Sequence, residues 1–98
     1  MADERRSERS GLSFAAFVVS LARTAAVHFG DVSDPASGAA GTQNLPAAQQ
    51  MIDILALLEQ KTRGNLTAEE RQLLEQVLFE LRLRYLEAQK GQSRIIQP

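Results

Sequence analysis

The tightest constraint in this chain is the connection between its last two helical stretches. Gly64-Asn65-Leu66-Thr67 is four residues long. That is too short for a wide crossover, so the flanking segments must fold back on each other as an antiparallel helical hairpin. Each end of the connection carries its own punctuation. Gly64 suits a helix stop because glycine enters the left-handed region without steric cost. Thr67-Ala68-Glu69-Glu70 reads as a capping box, in which the Thr67 hydroxyl accepts from the Glu70 amide while the Glu70 carboxylate accepts from the Thr67 amide. Glu69 and Glu70 also lie where the positive end of the helix dipole favours them.

The spacing predicts three helices, over about 14–29, 45–63 and 68–90. Ser13 is the expected N-cap of the first and Gly30 its stop. Its predicted core face is Phe14, Phe17, Val18, Leu21, Ala25 and His28. The second opens on Asn44 with Pro46 in the first turn, where a missing N–H costs little. Its stripe is Ala48, Met51, Ile52, Leu55 and Leu58, and Lys61 and Arg63 complement the negative end of its dipole. Gly91 is the expected stop of the third. The fold class is therefore all-α: an N-terminal helix, a flexible loop over 31–43, then the hairpin, as one domain over 13–91. Residues 1–12 read as a disordered leader and 92–98 as a frayed tail.

Composition removes whole classes of function. Among 98 residues there is no cysteine, which excludes disulfides, thiolate metal sites and cysteine nucleophiles and fits a cytoplasmic location. Eleven basic residues against 12 acidic ones provide no general attraction to nucleic acid or to an anionic membrane. The longest apolar stretch, Phe14 to Ala22, is broken by Ser20 and falls far short of the roughly 20 residues needed to cross a bilayer. Its leader mixes both charges, whereas a secretory signal needs a positive start.

Few residues have the makings of chemistry. His28 is the lone histidine and sits in an apolar helix face, a position that packing explains without a metal or catalytic role. Asp31-Val32-Ser33-Asp34-Pro35 lacks the acid spacing and central glycine of a calcium loop, and its acids suit a turn. Gly38-Ala39-Ala40-Gly41-Thr42 lacks the lysine of a P-loop. Asp53 interrupts the apolar run of the second helix, either as a buried partner for a cation such as Arg82 or on the solvated side. No nucleophile, base and oxyanion donor come together. The expectation is a non-enzymatic protein without catalytic residues, metal or cofactor.

The third helix carries the functional expectation. Leu74, Val77, Leu78, Leu81, Tyr85 and Ala88 form one apolar stripe, and Phe79, Leu83 and Leu86 form a second pointing nearly opposite at about 100° per residue. A surface helix needs only one buried stripe. The second must be covered by helix one, by a second copy of the chain, or by another protein. Arg82 and Arg84 flank it, as interface arginines do; the alternative for both is solvated surface, with Glu80 and Arg84 as an ordinary i, i+4 pair. The expected contact residues are Phe79, Arg82, Leu83 and Leu86. Two functions fit: an interaction adaptor, or a structural homodimer without a regulatory partner.

A resemblance narrows this. Phe14-Ala15-Ala16-Phe17-Val18-Val19-Ser20-Leu21, His28-Phe29-Gly30, Asp34-Pro35 and Ile52-Asp53-Ile54-Leu55 match a small bacterial family, domain of unknown function eighteen-forty-four. The most specific part is Lys61-Thr62-Arg63-Gly64-Asn65-Leu66-Thr67-Ala68-Glu69-Glu70, and Leu74, Leu78, Leu81-Arg82 and Tyr85 continue the match. The likeness covers about Ser13 to Leu86 and implies a helical fold without assigned catalytic residues. The sequence is also similar to a polarity-complex adaptor of gliding bacteria. That similarity implies a role in signalling, cell polarity and motility: joining a response regulator, helping load a small Ras-like GTPase with GTP, and reaching the cell pole through a partner.

Overall fold

The computed structural model describes residues 12–33 and 42–96, with side chains described as far as Gly91. The leader up to Gly11 and the loop segment 34–41 lie outside the described residues, as do the side chains of 92–96 and all of Gln97 and Pro98. Three helices follow in order: α1, Phe14–Phe29; α2, Leu45–Thr62; and α3, Ala68–Ile96. No strand occurs among the described residues.

Local sequence sets the helix ends. Ser13 Oγ accepts from the Ala16 amide at 3.0 Å, and Asn44 Oδ1 accepts from the Ala47 amide at 3.1 Å. The capping box of α3 closes in both directions. Thr67 Oγ1 accepts from the Glu70 amide at 3.1 Å, and Glu70 Oε1 accepts from the Thr67 amide at 2.8 Å. At the end of α1, Gly30 takes φ +81°. The Gly30 amide donates to Val27 and the Asp31 amide to Ala26, which is the paired closure of a Schellman motif. Gly64 takes φ +87° beyond the Arg63 cap of α2.

Gly91 does not end α3, contrary to the sequence expectation. The helix runs on to Ile96 through most of the expected tail, and Gly91 is not among the positive-φ glycines. A glycine stops a helix by turning left-handed; one that keeps helical angles costs about 1 kcal/mol relative to alanine and is tolerated.

The helices alternate in direction, and each packs on the other two. At one end of the hairpin, Glu59 of α2 and the cap residue Arg63 share a groove with Arg71 and Glu75 of α3; at the other, Gln49 and Asp53 share one with Arg82 and Leu86. α1 runs parallel to α3, with Ser13 beside Thr67 and Phe29 beside Tyr85. The loop between α1 and α2 returns to where it left, since the Asn44 amide donates to the His28 carbonyl at 2.7 Å.

The core lies along the axis of the three helices. Val18, Phe29, Leu55, Leu74 and Leu78 are its largest fully buried side chains. The predicted α2 stripe is in place, with Leu58 only half-buried. The first α3 stripe is likewise inward, with Tyr85 half-buried. For α1 the face is rotated from the expected one. Phe17 is 51% exposed and Phe29 is buried in its stead. Val18, Ala22, Ala25 and Phe29 form the inward i, i+4, i+7, i+11 line, which leaves Phe17 about 100° off it.

Candidate interaction face

α3 is the longest helix, about 43 Å at 1.5 Å per residue, and the capping box and the Gly64 turn set its register against α2. With Leu74, Leu78 and Leu81 turned inward, helix geometry forces the second stripe outward. Phe79 is 67% exposed, Leu83 47% and Leu86 54%. Of the three covers considered for this stripe, helix one does not supply it, because α1 packs on the flank of α3 that carries Arg84 and Leu73. Of the four expected contact residues, Phe79, Leu83, Leu86 and Arg82 are all exposed. Arg82 and Leu86 also line an open groove of about 370 Å³ with Gln49, Ile52, Asp53 and Tyr85.

Arg84 has a different role from the two considered for it. Its Nε and Nη2 donate to both Asp31 carboxylate oxygens, at 2.8 and 2.6 Å. Its guanidinium also lies over the Phe29 ring, 5.2 Å from the centroid. Glu80 does not pair with Arg84 and accepts instead from Gln76 Nε2 at 3.2 Å. The hydrogen bonds from Arg84 hold the Asp31 carboxyl below its ordinary range, against a smaller opposing effect of burial. The same contact raises the Arg84 guanidinium.

Asp53 is exposed, and its carboxylate takes a hydrogen bond from Gln49 Nε2 at 2.9 Å. It shares a groove with Arg82 but is not the buried partner of that residue, because it lies on the solvent side of α2. The His28 side chain is half-buried and borders a shallow groove on α1 with Arg23 and Thr24. Among the described residues no three His, Asp or Glu side chains gather where a metal ion could be held. No helix among them is long and apolar enough to cross a membrane.

Sequence reasoning missed the Arg84–Asp31 pair. The sequence marks Asp31 as a turn former and Arg84 as an interface or solvated cation. Their separation of 53 positions gives no local signal that would join them.

Neither the curated proteins nor the solved structures compared with this chain gave a match. A family model does match, over residues 11–87, and it contains all three helices up to the last turns of α3. The chain belongs to the family described as domain of unknown function (DUF1844).

Proposed function

We propose that this protein is a non-enzymatic interaction adaptor that works through the outer face of α3. The observation that carries this reading is the exposure of Phe79, Leu83 and Leu86 on a helix whose opposite face already supplies the core. An aromatic side chain and two leucines beside an unpaired arginine have the composition of a contact surface. Left in water, they gain nothing for the monomer.

The finer setting comes from the sequence likeness to RomX, a polarity-complex protein of gliding bacteria. On that likeness the adaptor acts in bacterial signalling or cell polarity, in the cytoplasm and at the pole through its partner. It joins a response regulator and helps load a small Ras-like GTPase with GTP. Such a role needs no covalent chemistry and no cofactor. A surface that binds a GTPase conformation with loosened nucleotide contacts speeds release by shifting the population toward it.

The test is release of fluorescent GDP from the host's Ras-like GTPase, with the response regulator present and this chain added or omitted. Faster release with the native chain, lost in a helical Leu83→Asp variant, is the expected result. Unchanged release on adding the native chain overturns the exchange role. Equal acceleration by native and Leu83→Asp chains overturns the assignment of the α3 face.

A further inference from the structure

The outer face of α3 has a finer pattern than a loose apolar patch. Gln72, Gln76, Phe79, Leu83, Leu86 and Lys90 follow one another at steps of four, three, four, three and four. This is the a/d spacing of a coiled-coil seam, with apolar residues at its centre and polar ones at its ends. The seam runs on the side of α3 turned away from α1, and at Leu86 it borders the groove that α3 shares with Gln49, Ile52 and Asp53 of α2.

Nothing else in the sequence has the side chains to cover it. Met1 to Gly11 contains no large apolar residue beyond Met1, and Asp34 to Gly41 contains none larger than proline. Ile95 and Ile96 belong to α3 itself. Neither the leader nor the loop thus supplies apolar side chains for it.

The charges beside the seam select which chain and which direction. In heptad positions, Glu75 and Arg82 precede the seam residues at g, while Glu80 and Glu87 follow them at e. In a parallel pair of identical helices, g meets the partner's e five residues on. Arg82 then faces the partner's Glu87, twice over by symmetry and directly beside the Leu83 and Leu86 layers. Glu75 meets the partner's Glu80, a like-charged contact that flanks the Gln76 and Phe79 layers. An antiparallel pair sets Arg82 against its own copy and Glu80 against its own copy. Shifted by one heptad, it sets Glu80 against the partner's Glu87. Among registers that set the apolar residues against one another, only the parallel pair places opposite charges beside Leu83 and Leu86; the antiparallel shift that brings Arg82 to the partner's Glu75 sets Leu83 against Gln72.

We propose that the seam on α3 is a self-association face, in which two copies pack α3 on α3 in parallel, with each Arg82 reaching the partner's Glu87. This rests on the reading of α3 as a contact surface and names its occupant. The area is adequate. The three exposed apolar side chains offer on the order of 300 Å² per copy. Five turns of helix with the flanking stems bring the total to roughly 1,200 Å², the lower end of stable interfaces. Gln76 at an a position faces the partner's Gln76, and such a polar pair fixes register.

Sedimentation of the full chain between about 1 and 100 µM tests the assembly, because a weak dimer shows its equilibrium in that range. We expect a monomer–dimer equilibrium, weakened roughly tenfold by Arg82→Glu and restored to within about threefold by Arg82→Glu with Glu87→Arg. Orientation has its own readout. The chain has no cysteine, so Gln76→Cys introduces a single thiol, and mild oxidation links two copies only if the helices run parallel. A native chain that stays monomeric at about 100 µM overturns the proposal. So does a dimer that Gln76→Cys leaves unlinked, or one in which the charge exchange fails to restore affinity. A monomer whose Leu83→Asp variant still loses activity in the GTPase assay defeats self-association while leaving the adaptor reading intact. Loss of neither dimer nor activity on Leu83→Asp defeats both.

Discussion

Arg84 of α3 grips Asp31 with both arms of its guanidinium, at 2.8 and 2.6 Å, across a separation of 53 residues. The pair fastens the turn after α1 to the middle of α3. Phe29 completes the joint: its ring lies under the Arg84 guanidinium at 5.2 Å and meets Tyr85 edge-on at 6.5 Å. The Schellman closure at Gly30 puts Asp31 in place, since the Asp31 amide is held by the Ala26 carbonyl at 3.0 Å. A local backbone motif thus positions a long-range ion pair. That pair holds α1 on the flank of α3 that carries Arg84, off the exposed seam.

Breaking this joint should cost a measurable but modest amount. Side-chain exposures of 32% for Arg84 and 40% for Asp31 leave the pair well hydrated. Bidentate geometry places it at the upper end of the range for such pairs, about 1 kcal/mol. We expect Asp31→Asn to lower unfolding free energy by about that amount in urea titration. Arg84→Gln should cost more, because it also removes the cation from the Phe29 ring, a contact worth about 0.5–1 kcal/mol at exposed sites. A double-mutant cycle giving no coupling between the two positions would show the pair to be energetically silent.

The same pair sets a pH dependence with a definite sign. Arg84 lowers the Asp31 carboxyl in the folded chain. The stabilisation is therefore complete above the unfolded carboxyl value of about 3.9, and it is lost as pH falls through the lower folded value. The stability difference between native and Asp31→Asn chains should be flat from about pH 6 to 8 and shrink below about pH 4. Chemical denaturation at several pH values measures it. A difference that grows on acidification contradicts the pairing.

Three glycines should respond differently to alanine. Gly30 has φ +81°, and an added Cβ would lie 3.2 Å from the Gln43 backbone nitrogen. Gly30→Ala therefore combines left-handed strain of about 1–2 kcal/mol with crowding against backbone. Gly64 has φ +87° but open space around it, so Gly64→Ala should carry the strain alone. Gly91 lies inside α3 with nothing within 4 Å. Gly91→Ala should raise stability by up to about 1 kcal/mol. Thermal melts should rank the chains Gly91→Ala, native, Gly64→Ala, Gly30→Ala from most to least stable.

How much of this was legible in the sequence depended on how local each interaction is. Thr67 and Glu70 announce their reciprocal bonds because both partners lie within one turn. The Leu74–Leu78–Leu81 stripe shows its period within α3 alone. Phe17 was misplaced because several rotations of an alanine-rich helix satisfy the same spacing, and only the packing of Phe29 against Tyr85 selects one. Gly91 misled because composition does not reveal the sign of φ. The exposed stripe was legible as a face in need of cover. That helix one leaves it bare follows from where Arg84 and Asp31 hold α1, a contact without a local signature.

Adjacent positions on α3 offer the sharpest separation of fold from contact. Leu78 is 1% exposed and Phe79 is 67% exposed. Leu78→Ala leaves a cavity in the core cluster to which Val18, Leu55 and Leu74 also belong, and such truncations cost about 2–5 kcal/mol. A domain near this size shifts its melting temperature by roughly 4–8 °C per kcal/mol, so the variant should melt at least about 8 °C lower. Phe79→Ala removes the larger side chain, yet in dilute solution it should stay within about 0.5 kcal/mol of the native chain, because that ring is in water either way. At higher concentration the two should exchange roles. Association adds stability to any chain that dimerises, so the melting temperature of the native protein should rise with concentration while that of Phe79→Ala stays flat. A Phe79→Ala chain as destabilised in dilute solution as Leu78→Ala would place that ring in the core and remove the outer face altogether.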